Sequence, residues 1–365
     1  MSGVYLSYPF CAQKCTYCNF ASGVFPKELE SEYRRALYGE IGGHEWKWSP
    51  ETVYWGGGTP SVMDTDFLRS AMSLIPGREW QEATLEAAPG SLTPERIDAW
   101  RRSGINRISL GVQSFVQPEI ARTGRKHTAD IVEREVRLLR ERGLDNFNVD
   151  LIAGLAGQTW TSWKASLEWI ARLEPPHVSV YMLEVDDDSR LGKEMRLGGV
   201  RYGAGDVPPE GQIADFYEHA VETLAALGIP RYEISNFARP GWESRHNLKY
   251  WRLERYMGFG ADAHSFDGGL RRQNVESPRE YVERGRAGQA FHGVSTLAEP
   301  REEKFFVGLR LSEGVRPDQE DLRRFGEPIR RFLEDGLLER EGDRLRLTHR
   351  GVLLSNEVFE EFIHG

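Results

Sequence analysis

Cys11, Cys15 and Cys18 are the only cysteines among 365 residues, and they fall within eight positions of one another. The spacing C-x3-C-x2-C lets three thiolates converge on one metal centre. Structural zinc normally takes four Cys or His ligands, and the chain has no second cysteine pair to complete such a site. A disulfide would leave one thiol over and is disfavoured in a reducing compartment. Three buried, inert thiols would need no such spacing. The residues favour an iron–sulfur cluster. Three protein ligands on a four-iron cluster leave one iron open to an exogenous ligand.

A second segment, Gly56-Gly57-Gly58-Thr59-Pro60, can do chemistry by what it lacks. Without Cβ atoms its backbone can approach a ligand and hydrogen-bond an amino group, although alone it reads equally well as a tight strand-to-helix turn. It is not the G-x-G-x-x-G dinucleotide fingerprint. Glu86, Gln113, Arg125 and Asp150 add polar groups; an Arg can pair a carboxylate, while Asp and Gln suit hydroxyls. Taken singly, each is more simply a surface ion pair or a structural polar group. Arg245-His246-Asn247-Leu248-Lys249-Tyr250-Trp251 offers an imidazole among aromatic rings, though alone a His so placed is usually structural.

The elements that position these residues alternate from the start. Strands are predicted at Val4 to Tyr8, Thr52 to Trp55, Ala83 to Ala87, Arg107 to Leu110, Asn148 to Ile152 and Val178 to Leu183, with helices between. One helix start is explicit, with Thr93 as N-cap, Pro94 at the first helical position and Glu95 in the first turn. Six β/α units predict an α/β fold with a parallel sheet, and the cysteines follow the first strand, where barrel sites assemble. Residues 186–209 read as a loop or lid, 212–227 as a helix and 231–237 as a strand; 245–265 shows no clean periodicity. After Glu299, amphipathic helices and a short hairpin predict a winged-helix-like tail, read as a packing module. The boundaries are 1–186 for a partial barrel, 187–298 for a linker and extension, and 299–365 for the tail.

On the cysteine motif, the glycine segment and the six-unit pattern together, the chain resembles the radical S-adenosylmethionine (radical SAM) superfamily. The resemblance implies a partial (β/α)6 barrel with an α+β C-terminal extension, a [4Fe-4S] cluster on Cys11, Cys15 and Cys18, and SAM chelating the open iron. It also implies that the cluster cleaves SAM to a 5'-deoxyadenosyl radical. Glu86, Gln113, Arg125 and Asp150 resemble in spacing the porphyrin-related branch containing the HemN and HemW proteins. There, matching positions contact SAM, as do Gly57, Gly58 and Thr59, and Tyr5 matches a tyrosine near cluster and substrate. Ala88 stands where that branch usually has Asn.

Phe20 occupies the position of an additional HemN cysteine, and only ten residues precede Cys11. Both features resemble the HemW-type haem chaperones more than the HemN-type coproporphyrinogen III dehydrogenases. The resemblance therefore implies haem as cargo, haem-accepting apoproteins and an electron donor as partners, and His246 as a candidate haem contact. His264 ranks second, in a segment where Asp262 replaces a small residue. Met257 and the remaining histidines are read as structural. The alternatives are coproporphyrinogen dehydrogenase activity or another SAM-dependent porphyrin modification.

Composition bounds these readings. A formal charge of -9 argues against nucleic acid as the default partner, and 39% hydrophobic residues supply a large core. No apolar run approaches the ~20 residues of a membrane span, and Met1 to Tyr5 carries no signal-like stretch, which predicts a cytoplasmic chain with at most peripheral membrane contact.

Overall fold

The computed structural model describes residues 2–77 and 79–363. Its first half runs β1 (Ser2–Tyr8), α1 (Lys27–Gly43), β2 (Thr52–Gly57), α2 (Thr65–Ser73), β3 (Glu82–Ala87), α3 (Pro94–Arg102) and β4 (Arg107–Gln113). Then come α4 (Gln117–Arg122), α5 (Ala129–Glu141), β5 (Phe147–Ala153), α6 (Trp160–Leu173) and β6 (His177–Met182). The six strands pair in sequence order and in parallel. Thr93 caps α3 as expected, its hydroxyl accepting from Arg96 N at 3.3 Å.

Because side chains alternate across a strand, each strand divides its residues between two faces. Val4, Leu6, Val53, Trp55, Leu85, Ile108, Leu110, Val149, Val178 and Val180 are buried in one core with Leu37 of α1, Trp100 of α3, Leu139 of α5 and Ile170 of α6. The opposite, inner face is polar. At its lower end, formed by the first residues of the strands, Thr52, Glu82, Arg107, Asn148 and His177 are all buried. At the upper end lie the loops that follow β1, β2 and β4.

The second half continues with α7 (Arg190–Arg196), a 3-10 turn (Arg201–Asp206), α8 (Glu210–Ala226), β7 (Asn236–Ala238), α9 (Arg245–Trp251), β8 (Arg255–Phe259) and β9 (His264–Phe266). Next are β10 (Leu270–Asn274), α10 (Pro278–Ala287), β11 (His292–Leu297) and α11 (Pro300–Phe306). The last elements are α12 (Gln319–Glu334), β12 (Leu338–Glu341), β13 (Arg344–Leu347), α13 (His349–Leu353) and α14 (Ser355–Glu360).

Several expectations change here. Residues 186–209 are not a plain loop, since they hold α7 and the 3-10 turn. The strand expected over 231–237 shrinks to β7, because the chain folds back on itself: Tyr232 N and Glu233 N both donate to Asn236 O. The aperiodic stretch resolves into α9, β8 and β9. The strands of the extension also join the barrel sheet itself. β8 pairs in parallel with β1, β7 pairs with β6, and the eleven-stranded order is β11-β10-β9-β8-β1-β2-β3-β4-β5-β6-β7. The β12–β13 hairpin lies against α12, and Phe305 of α11, Phe325 of α12 and Phe362 beyond α14 pack their rings together. Among the described residues, no helix is long and apolar enough to cross a membrane.

Candidate functional site

The cysteine loop leaves the upper end of β1 and is closed at its base, where Cys11 N donates to Gly23 O at 2.8 Å and Gly23 N to Pro9 O at 2.9 Å. Cys15 and Cys18 flank a turn in which Cys18 N reaches Cys15 O at 3.4 Å. All three thiols are free and half-buried. The loop is pinned from two sides. Thr16 donates from N to Thr123 O and from its hydroxyl to Arg122 O, each at 3.2 Å, and its carbonyl accepts from Leu191 N at 2.9 Å. Arg190 also donates to Lys14 O. The segment expected to be a lid therefore docks on the cysteine loop.

The glycine segment lies against this loop. Gly58 N donates to Tyr8 O at 2.8 Å and Thr59 N to Phe10 O at 3.0 Å. A Cβ on Gly58 would meet the Phe10 carbonyl oxygen at 2.7 Å, and Gly57 has φ +107°. Both positions need glycine on steric grounds alone. Gly56 contributes differently: a Cβ there would lie 3.0 Å from the Tyr5 ring and 3.1 Å from Glu86 Oε1. The absence of that atom lets Tyr5 and Glu86 approach the loop.

Tyr5, Glu86 and Asp150 share the polar inner face, as the strand registers require. Glu86 accepts from Tyr54 Oη at 3.0 Å and from Gly57 N at 3.2 Å. Burial, and then the charge of Asp150, push its pKa up to about 7. Asp150 accepts from Asn148 Nδ2 at 2.6 Å, and burial raises its pKa too. Two buried carboxylates held this way gain from a cationic ligand. Gln113 is buried at the end of β4 with φ 72°, a backbone conformation that costs a non-glycine residue on the order of 1–3 kcal/mol and tends to persist at functional sites. Arg125 donates to Gly111 O at 2.7 Å, while its buried Nε has no hydrogen-bond partner. Burial alone would lower its pKa; Tyr17 and Cys15 beside it hold it above the ordinary value. Where the branch usually has Asn, Ala88 N donates instead to Ser61 Oγ at 3.2 Å.

Among the described residues, no three His, Cys, Asp or Glu side chains close tightly enough to hold a single metal ion. A cubane takes each thiolate on a different iron, so its ligands need not meet at one point. Three free thiols in a pinned loop, an unpartnered Arg125 Nε and a Cβ-free backbone beside them fit a [4Fe-4S] cluster with SAM on its open iron. The cluster and SAM would supply radical chemistry when bound, and Glu86 and Asp150 would be the carboxylates facing a cationic ligand. A pH dependence follows. Glu86 loses its proton near pH 7, so the carboxylate is mostly absent at pH 6 and mostly present at pH 8. SAM affinity should rise over that interval, and rise by about tenfold less in Glu86→Gln, as measured by equilibrium titration of the reconstituted protein.

His246 lies at the other end of the strands. Its imidazole is 1% exposed, with Nδ1 2.9 Å from Thr52 Oγ1 and Nε2 2.7 Å from Tyr250 Oη. Thr52 opens β2, whereas the cysteines follow the end of β1. Burial, with Lys249 and Arg107 nearby, lowers the His246 pKa to about 3. Both ring nitrogens are engaged, so axial coordination would require opening the barrel floor. His264 is exposed, and by alternation it shares a face with Phe266, which pairs with Tyr256, itself opposite Gly3 of β1. It therefore lies on the same side of the sheet as Tyr5. The sequence reading missed Tyr54 and Glu82; a Tyr or Glu inside a strand carries no local sign of which face it serves.

The chain matches the Radical SAM superfamily model over residues 5–170 and the HemN C-terminal domain model over residues 296–354. It is 35% identical to the heme chaperone HemW of Bacillus subtilis (strain 168), covering 100% of this chain and 99% of that protein. It is 31% identical to the heme chaperone HemW of Escherichia coli (strain K12), covering 99% and 97%. The solved structure of coproporphyrinogen III oxidase HemN from Escherichia coli, a radical SAM enzyme, superposes over 100% of this chain and 90% of that one, with a TM-score of 0.84 at 21% identity, a likeness of fold. With the cysteine loop, the glycine segment and the full-length likeness to HemW proteins in one chain, it belongs to the radical SAM superfamily and, within it, to the HemW family.

Proposed function

We propose that the chain is a haem chaperone. In this reading it carries a [4Fe-4S] cluster on Cys11, Cys15 and Cys18, holds SAM with Tyr5, Gly57, Gly58, Thr59, Glu86, Gln113, Arg125 and Asp150, binds haem, and passes it to haem-accepting apoproteins in the cytosol. A separate electron donor would reduce the cluster. The observation that carries the proposal is full-length likeness to proteins named heme chaperones, with Phe20 where the resemblance puts a further cysteine in the dehydrogenases. Phe20 is 67% exposed beside the cysteine loop.

For the haem contact we put His264 ahead of His246. His264 is accessible on the inner side of the sheet, whereas His246 is locked in its floor. The test is haem titration of the anaerobically reconstituted chain, with coproporphyrinogen III decarboxylation assayed in parallel. Haem should bind stoichiometrically without multiple-turnover decarboxylation. His264→Ala should change the haem absorption spectrum and lower affinity about tenfold or more, as expected on loss of an axial ligand. His246→Ala should leave the haem spectrum as it is. Robust decarboxylation would replace the chaperone with the dehydrogenase reading.

A further inference from the structure

The geometry points to His246 as a positioning residue of the SAM site, acting from the opposite end of the barrel through Tyr54 and Glu86. This rests on the reading of Gly56 to Thr59 as the SAM-facing loop. The plug that carries His246 is built from distant parts of the chain. Glu82, the first residue of β3, accepts from Arg245 N and His246 N, both at 2.9 Å, so one buried carboxylate seats the first turn of α9. The His246 ring fits because β1 has glycine there: a Cβ on Gly3 would lie 3.2 Å from the imidazole.

Above the plug, the rings form a column. His246 stacks on Tyr54 with centroids 5.2 Å apart and an interplanar angle of 30°. Tyr54 in turn lies 6.0 Å from Tyr5 at 20°. The Tyr54 hydroxyl holds Glu86 Oε1 at 3.0 Å, and Glu86 Oε2 accepts from Gly57 N at 3.2 Å. Tyr54 has one ring face on His246 and its hydroxyl on the carboxylate that sets the glycine loop. A shift of the imidazole changes where that hydroxyl points. A dense interior transmits such displacements, and side chains sharing a contact network couple measurably.

Stacking and hydrogen bonding separate experimentally. His246→Ala removes both, whereas His246→Phe keeps a ring against Tyr54 and loses the bonds to Thr52 and Tyr250. SAM affinity should fall roughly tenfold in His246→Ala and recover to within about threefold of the parent in His246→Phe, although both variants unfold earlier in urea. The SAM-induced change in the electron paramagnetic resonance spectrum of the reduced cluster should follow affinity, not stability. A cycle with Glu86→Gln should be non-additive. Where His246→Ala does not accumulate as folded protein, Tyr54→Leu breaks the same column at its middle and should show the same tenfold loss. Parental SAM affinity in His246→Ala or Tyr54→Leu, or equal losses in His246→Phe and His246→Ala, overturns the inference. A parent chain with a full cluster but no SAM binding overturns instead the loop reading beneath it.

Discussion

Replacing Cys15 by Ala should leave the chain without its cluster. After anaerobic reconstitution the parent should hold about four irons and four sulfides and show thiolate-to-iron absorption, whereas the variant should show neither, because the three thiols are the only cysteine ligands in the sequence. The loss should be local. The loop backbone is held by Cys11, Thr16 and Gly23 hydrogen bonds that do not involve the Cys15 side chain, and Cys15 is not in the buried core. Urea unfolding of the metal-free proteins should therefore give unfolding free energies within about 1–2 kcal/mol of each other, the remaining loss coming from the contact of Cys15 with Tyr17 and buried Arg125. A parent-like cluster spectrum in the variant, or stoichiometric zinc in anaerobically purified parent, would reject the assignment.

Replacing Glu82 by Ala should be the most costly single change in the barrel floor. Glu82 and Arg107 are each 2% exposed and 3.9 Å apart, and the same carboxylate accepts from Ser244 Oγ, Arg245 N and His246 N. Arg107 Nε already lacks a hydrogen-bond partner. Removing the carboxylate strands a buried guanidinium and the amides at the start of α9, a loss of about 3–5 kcal/mol. The urea midpoint reads it directly. Glu82→Gln keeps an acceptor for the amides but not the charge and should fall between the two; an unchanged midpoint in the Ala variant would mean that the plug is seated by other contacts.

The cysteine loop, the glycine segment and the six strands were legible because their signals are local: spacing, absent Cβ atoms, and apolar runs between turn residues. All six strands appear at their expected places, extended by one to three residues at one or both ends, apart from the last, which starts one residue early and stops one short. What escaped was position in three dimensions. The segment from Arg245 to Trp251 announces an imidazole among aromatic rings, but whether α9 enters the barrel at its mouth or its floor depends on Glu82, 164 positions away. The 231–237 stretch reads as a strand in sequence. Its backbone instead satisfies itself in a tight return, Ala238 N reaching Pro230 O at 3.1 Å.

The pairing of β8 with β1 has a consequence for synthesis on the ribosome. The strand that carries the cysteine loop meets its second neighbour only when residues 255–259 have emerged, about 250 residues later. At translation speeds of roughly 5–20 residues per second, the nascent chain presents an open β1 edge for some 13 to 50 s. A fragment ending at residue 186 would keep that edge permanently, next to three unliganded thiols. Until residues 255–259 arrive, the strand that leads into the cysteine loop thus lacks one of its two partners, and an open edge beside unliganded thiols is where aggregation and oxidation would begin.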